Sequence, residues 1–306
     1  MHTTDVPSDL HYSEYTIPSG GTRIVLSVWE PPRPDAVIVF VPATMVHPLF
    51  YETLLSGFAE RGFAVVGVHP VGHGKSPRDV RRYTLRDIVQ NAKDAVSFAE
   101  QRYRLPILSM GSSQGGIVAA ALAAEDARIA AAFPHNIVLA ELPDSIVVTR
   151  FPKFLRHVYR PLLGAFGLLA RLLPDAKLPL KFYLQRNRIS EDPAFWASVE
   201  RDPLFLRGYS LYFLASLFTT VFPGLTNGGI HCPLYLITDT NDQLFTMDYT
   251  RFVFDRLRAP HKELIELDLG GHMFMATHPR EVCEILSPKM REALAIVEAG
   301  NIEGDI

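Results

Sequence analysis

Cysteine is scarce in this chain: Cys232 and Cys283 are the only two among 306 residues. They stand at no metal-ligand spacing and beside no histidine pattern that would complete a tetrahedral zinc site. A disulfide framework and a structural metal are therefore not expected, and both residues read as buried thiols. Charge of one sign is lacking as well. With 30 basic against 33 acidic residues the formal net charge is −3, which gives no global attraction to nucleic acid. Nor is there a long hydrophobic run. The longest uncharged apolar stretch, 208–223, falls short of the roughly 20 residues a membrane span requires and carries Ser210, Ser216, Thr219 and Thr220. It reads as a buried helix. The first ten residues have neither a basic start nor an apolar core, so no secretory signal is read there and a cytoplasmic address follows by default.

What the chain does have is alternation. Short β-branched runs at 36–41 and 63–68 are separated by amphipathic stretches at 50–61 and 85–103, and a further apolar run at 105–110 follows. Such alternation predicts a parallel sheet with helices on both faces. Runs near 129–133, 234–238 and 263–269 extend it. The segments 12–17 and 23–29, around Ser19-Gly20-Gly21, predict an antiparallel hairpin at one edge, for about eight strands in all. Between His135 and Ile230 the alternation stops, replaced by helical apolar patterns broken by Pro152, Pro161, Pro174, Pro179, Pro193 and Pro203. The organisation expected is a core in two parts, 1–135 and 230–306, with 136–229 inserted as a helical cap or lid.

Gly111-Ser112-Ser113-Gln114-Gly115 carries the chemistry. It places Ser113 where an apolar run gives way to an alanine-rich helical one, the position of a nucleophile on a tight strand-to-helix turn. A serine hydroxyl is a weak nucleophile at neutral pH. It needs a histidine base, and the histidine needs a carboxylate to fix its tautomer. Asp239 and Asp242 follow the penultimate strand, and His272 follows the last one, so all lie at the sheet edge that carries Ser113. Other histidines read differently: His73 as loop packing, His231 at the opposite end of the sheet, and His278 at the start of the final helix.

With these residues in this order the chain resembles the α/β-hydrolase superfamily, particularly its monoglyceride lipase, lysophospholipase and carboxylesterase-like members. The resemblance covers roughly 35–134 and 230–298 and leaves out the cap. The stretch from Gly67 to Ser76 is similar to the family's strand-four loop, with His69 where the family usually has aspartate. The resemblance implies an α/β-hydrolase fold and a cofactor-independent mechanism in which Ser113 attacks, His272 moves the proton and Asp242, favoured over Asp239 by family spacing, orients His272. Asp239 is left as a loop-capping carboxylate. The oxyanion needs N–H donors, one expected from Gln114 and the other from the loop after the third strand. The family usually has His-Gly there, where this chain has Pro42-Ala43. Pro42 has no N–H, which leaves Thr44, with Met45 second. A serine at the elbow excludes dehalogenase and epoxide hydrolase chemistry, which need an aspartate.

Between 150 and 188 the chain carries nine basic residues against the single Asp175, beside an apolar stripe of Phe151, Leu155, Val158, Leu162, Phe166, Leu169 and Leu173 that Pro161 would kink or divide. The stripe either packs on the core or docks on an anionic membrane. Aromatic and leucine residues at 205–222 suggest an apolar wall over Ser113 and hence a medium or long acyl ester, such as a monoglyceride or lysophospholipid. A thioesterase, an acyltransferase, a carbon–carbon bond hydrolase and a non-catalytic binding protein on the same scaffold remain open alternatives.

Overall fold

The computed structural model describes residues 10–80 and 82–304. Residues 1–9, where no secretory signal is read, lie outside the described residues, as do 305 and 306.

Strands β1 (His11–Ser19) and β2 (Thr22–Glu30) form the expected antiparallel hairpin. They join β3 (Ala36–Val41), β4 (Phe63–His69), β5 (Ile107–Ser112) and β6 (Ile129–His135). A separate two-stranded ladder, β7 (Lys177–Leu178) with β8 (Tyr209–Ser210), lies in the inserted segment, and β9 (Leu234–Asp239) and β10 (Lys262–Leu267) complete the main sheet. The 8-stranded sheet has the order β1-β2-β4-β3-β5-β6-β9-β10 and is parallel from β4 to β10. Every residue of β3, β4 and β5 is buried, which is why those strands read as unbroken apolar runs rather than as alternating ones.

Two cores flank the sheet. One packs it against the helices Leu85–Tyr103 and Gln114–Glu125, the other against Glu52–Ala59 and Pro279–Gly304. The Leu85–Tyr103 helix begins where its sequence says it should: Thr84 accepts the N–H of Asp87 while the Asp87 carboxylate accepts the N–H of Thr84. Both cysteines are buried free thiols, and burial pushes each up to about 12.

Among the described residues, 136–229 contribute no strand to the main sheet. This segment holds the helices Tyr159–Leu172, Arg186–Ile189, Pro193–Arg201, Leu211–Thr219 and Gly224–Asn227. The apolar stripe is divided, but not at Pro161. A 3-10 turn at Lys153–Val158 ends where the helix Tyr159–Leu172 begins, and Pro161 sits in that helix's first turn, where its missing N–H has no acceptor to forgo. The stripe also fails to pack as one face. Tyr159 and Ala170 are buried and Phe166 half-buried, while Phe151, Val158, Leu162, Leu169 and Leu173 are exposed, together with Phe154, Leu168, Leu172 and Phe182. No described helix is long and apolar enough to cross a membrane.

Candidate active site

Ser113 stands between β5 and the helix Gln114–Glu125 with φ 53° and ψ −113°, a backbone conformation that non-glycine residues rarely adopt. The turn closes only because its neighbours lack side chains. A Cβ on Gly111 would lie 2.1 Å from the Gly115 carbonyl oxygen, and one on Gly115 would lie 2.0 Å from that of Val41. Gly116, outside the five-residue motif, is under the same constraint, since its Cβ would lie 2.3 Å from the His135 carbonyl oxygen.

His272 Nε2 lies 3.1 Å from Ser113 Oγ, and His272 Nδ1 lies 2.8 Å from Asp242 Oδ2. Three residues on loops after three different strands are thus brought into one line, all of them buried. Phe245 stacks on the His272 ring at 5.6 Å between centroids, with planes 7° apart, which holds the imidazole edge-on between its two partners. The other oxygen of Asp242 accepts the N–H groups of Leu244 and Phe245, both at 2.8 Å. Burial alone would raise the Asp242 carboxyl, but the adjacent His272 and the hydrogen bonds it receives outweigh that and hold it well below the usual carboxylate range.

Behind Asp242 lies a second layer. The Asn136 side-chain amide donates to Asp242 Oδ2 at 2.9 Å and contacts His135 Nε2 at 2.7 Å, bridging a His135–Asp242 separation of 3.9 Å. His135 is fully buried, and burial pulls it down to about 4, so it is neutral. His135, Asp242 and His272 are close enough to suggest a metal site. Their donor atoms, however, are already directed at one another, at Asn136 and at Ser113, and this donor set is better matched to proton transfer than to a cation.

Asp239 does not reach His272. Its carboxylate accepts the N–H groups of Asn241 at 2.9 Å, Gly271 at 2.8 Å and Leu269 at 2.5 Å, and so ties the loop of Asp242 to the loop of His272. His69 likewise fastens its loop. Its Nδ1 accepts the Lys75 N–H at 3.1 Å and its Nε2 lies 3.0 Å from Ser27 Oγ, while burial holds it near 3. His231 contacts the Asp126 carbonyl oxygen, at the far end of the sheet from Ser113.

Thr44, on the loop after β3, borders Ser113 in two cavities that reach the serine. The Met45 N–H is donated to Tyr209 Oη at 2.9 Å and is therefore committed elsewhere. Gln114 is the first residue of its helix, where an N–H has no acceptor within the helix.

Two cavities, about 40 and 50 Å³, meet at Ser113 and share Thr44, Leu184 and Leu244 in their walls. One is bounded by His272, Met273, Phe195, Trp196 and Phe205, the other by Gln114, Ile117, Val148, Phe218 and Phe245. Half of these wall residues come from the inserted segment, which therefore covers the serine. Arg188 fastens that segment to the acid loop. It donates to the carbonyls of Gln243 at 2.6 Å and Leu244 at 3.0 Å, and to those of Val147 and Thr149 at 2.9 and 3.3 Å.

Asn136, Tyr209, Arg188 and Phe245 are the site residues that sequence reasoning missed. Asn136 meets Asp242 across 106 positions and Tyr209 meets Gln114 across 95, so no local pattern marks either of them. Phe245, three residues beyond Asp242, is the one a short-range argument could have reached.

The family described as serine aminopeptidase, S33, matches residues 32–278. Among solved structures the chain is similar to the monoacylglycerol lipase of Paleococcus ferrophilus, at 19% identity and TM-score 0.65 over 91% of this chain and 98% of that one. It is similar to a soluble variant of the Saccharomyces cerevisiae monoglyceride lipase in complex with a substrate analog, at 13% and 0.68 over 94% and 98%. It also resembles a thermostable carboxyl esterase of Bacillus coagulans in complex with glycerol, at 16% and 0.68 over 92% and 99%. At these identities the likeness is one of fold. No match is found among curated protein sequences.

Proposed function

Because the chain belongs to the serine aminopeptidase S33 family of α/β-hydrolases, we propose that it is a serine hydrolase of carboxylic esters that carry a hydrocarbon acyl chain. The observation that carries this reading is the line Ser113 Oγ, His272 Nε2, His272 Nδ1, Asp242 Oδ2, with spacings of 3.1 and 2.8 Å at its two hydrogen bonds. With Nδ1–H directed at Asp242, Nε2 is free to take the Ser113 proton as Oγ attacks the ester carbonyl. The N–H groups of Gln114 and Thr44 hold the oxyanion. Collapse expels the alcohol, which takes its proton from the His272 imidazolium, and leaves an acyl group on Ser113. Water then attacks that acyl group with His272 again as base. No cofactor takes part.

The preference for a hydrocarbon chain is supported by what lies past the serine. Beyond Tyr183 and Phe218, which border the 50 Å³ cavity, lies a third cavity of about 110 Å³ lined by Ile146, Leu162, Leu163, Phe166 and Leu214. An acyl chain that parts Tyr183 from Phe218 would run into it. The test is hydrolysis of p-nitrophenyl esters from acetate to palmitate by the wild type and by Ser113→Ala, with fluorophosphonate labelling alongside. Activity and labelling are both expected to vanish in the variant. A labelled wild type that cleaves no ester would instead favour the acyltransferase or carbon–carbon hydrolase reading.

Phe154, Leu168 and Leu172, exposed at 69%, 59% and 70%, project beside the exposed Lys153, Arg156, Arg160 and Arg171. Exposed apolar side chains interspersed with basic ones fit an anionic lipid surface, and the enzyme would meet its substrate there.

A further inference from the structure

The two cavities at Ser113 are chemically distinguishable, because the reaction assigns them different halves of the substrate. The leaving oxygen must receive its proton from His272 Nε2, so the chamber with His272 and Met273 in its wall faces the alcohol. The chamber that begins at Gln114 and Ile117, on the helix that presents the oxyanion donor, faces the acyl group. What is unexpected is the wall of the alcohol chamber. Val46, Ile189, Phe195, Trp196, Phe205 and Met273 form it, and its remaining polar groups, Ser113, Thr44 and His272, stand at the reacting end. The Trp196 indole N–H could have served a polar headgroup, but it is donated to the Ser190 carbonyl at 2.8 Å.

We infer that the alcohol released by this enzyme is apolar, an alkyl or aryl alcohol, and that glyceryl and phosphoglyceryl esters are poor substrates. The inference rests on the ester-hydrolase reading above and refines it. It also departs from the monoglyceride or lysophospholipid that the sequence resemblance suggests. A glyceryl group would bring two hydroxyls into a wall with no partner for them, and leaving buried hydroxyls unpaired is what makes sites discriminate strongly. A polar groove of about 830 Å³ does lie close by, lined by Arg78, Asp79, Lys177, Asp202 and Arg207. Among the described residues Phe205 is the one side chain common to the groove and the alcohol chamber, and it stands between them. Phe205 is thus a specificity-determining residue that keeps the charged groove out of the reacting space.

The experiment compares kcat/KM for hexyl butyrate and glyceryl monobutyrate, which share an acyl group and differ in the alcohol, on the wild type, Phe205→Ala, Ile189→Trp and Leu217→Trp. Ile189 borders only the alcohol chamber and Leu217 only the acyl chamber. The wild type is expected to favour hexyl butyrate at least tenfold, and Phe205→Ala to narrow that ratio by joining the chamber to the groove. Ile189→Trp should lower activity on hexyl relative to ethyl butyrate while leaving the acyl-length profile of ethyl esters unchanged. Leu217→Trp should shift that acyl profile towards shorter chains and leave the hexyl-to-ethyl ratio alone. A wild type that cleaves the glyceryl ester as well as the hexyl ester overturns the inference and leaves ester hydrolysis standing. So does a pair of tryptophan variants that move the same profile. A wild type that cleaves neither ester overturns the ester-hydrolase reading, and this inference with it.

Discussion

Tyr209 Oη accepts the backbone N–H of Met45 at 2.9 Å, so a residue of the insert holds the loop that carries Thr44. The same phenol reaches Gln114, whose N–H is proposed above as the other oxyanion donor. Its oxygen lies 3.1 Å from the Gln114 side-chain amide and 2.7 Å from His73 Nε2. His73 Nδ1 lies 2.9 Å from the Val71 carbonyl and must donate to it, which leaves Nε2 as the acceptor of the one phenolic hydrogen. Burial pulls His73 down to about 4, so this neutral tautomer persists at neutral pH. With that hydrogen committed to His73, the contact with Gln114 is satisfied when the amide turns its NH2 towards the phenol.

Tyr209→Phe is therefore expected to lower kcat by about tenfold to a hundredfold with little change in KM. It leaves the Met45 N–H without its acceptor and frees the Thr44 segment to wander, while both substrate chambers keep their walls. A purely structural role would appear instead as a lower melting temperature with kcat preserved well below that temperature.

The two loop aspartates should separate in the same way. Asp242→Asn removes the acceptor for His272 Nδ1–H and is expected to cost about 10³–10⁴ in kcat, since the imidazole then has no reason to hold the productive tautomer. Asp239→Asn meets three backbone N–H groups with an amide that brings donors of its own, so its main effect should be on stability, on the order of 1–3 kcal/mol. Equal losses of turnover in the two variants, measured well below both melting temperatures, would contradict this division.

What could be read in the sequence and what could not follows from the range of the interactions. The elbow is a local object: its glycines are needed because backbone passes within about one atomic diameter of where their side chains would be, and that need is written within a few residues of Ser113. The strands were equally plain, because burial on both faces leaves continuous β-branched runs. Tyr209, Arg188 and Asn136 matter through partners in other segments, and a tyrosine in an aromatic stretch looks the same whether its hydroxyl serves the core or the loop of Thr44. The stripe at 151–173 shows the opposite failure. Its periodicity marks a helix correctly for 159–172, but an apolar arc too wide for one contact leaves much of it in solvent, and periodicity does not say which part.

Stability should depend on pH through three histidines that play no part in the proton transfer. Burial is the main cause that holds His69 near 3, His73 near 4 and His135 near 4, against an ordinary value of about 6.5. The folded protein keeps them neutral while the unfolded chain protonates below about pH 6.5. Their contribution is therefore present in full above that pH and is lost as pH falls towards 4, on the order of 2 kcal/mol for each by pH 4.5. Asp242, whose folded value is depressed, adds a further loss only at lower pH, below the ordinary carboxylate range. Urea midpoints should fall steeply between pH 7 and 4.5, and a flat profile over that window would mean that the three rings are not buried as neutral bases.

The exposed face of the insert gives the last prediction. Two contributions would bind it to lipid, and they respond differently to salt. Each basic residue near an anionic surface is worth about 1 kcal/mol and is screened as ionic strength rises, whereas the insertion of Phe154, Leu168 and Leu172 is not. Sedimentation with phosphatidylserine-containing vesicles should weaken by an order of magnitude or more between 50 and 500 mM salt and be lost on neutral vesicles. Leu168→Asp with Leu172→Asp should abolish binding even at low salt, while leaving hydrolysis of a soluble ester unchanged, because neither side chain borders the chambers at Ser113. Failure of the wild type to sediment with anionic vesicles at low salt would return the exposed leucines to the surface of a protein that meets its ester in solution. The basic residues beside them would then be a solvated face with no lipid partner.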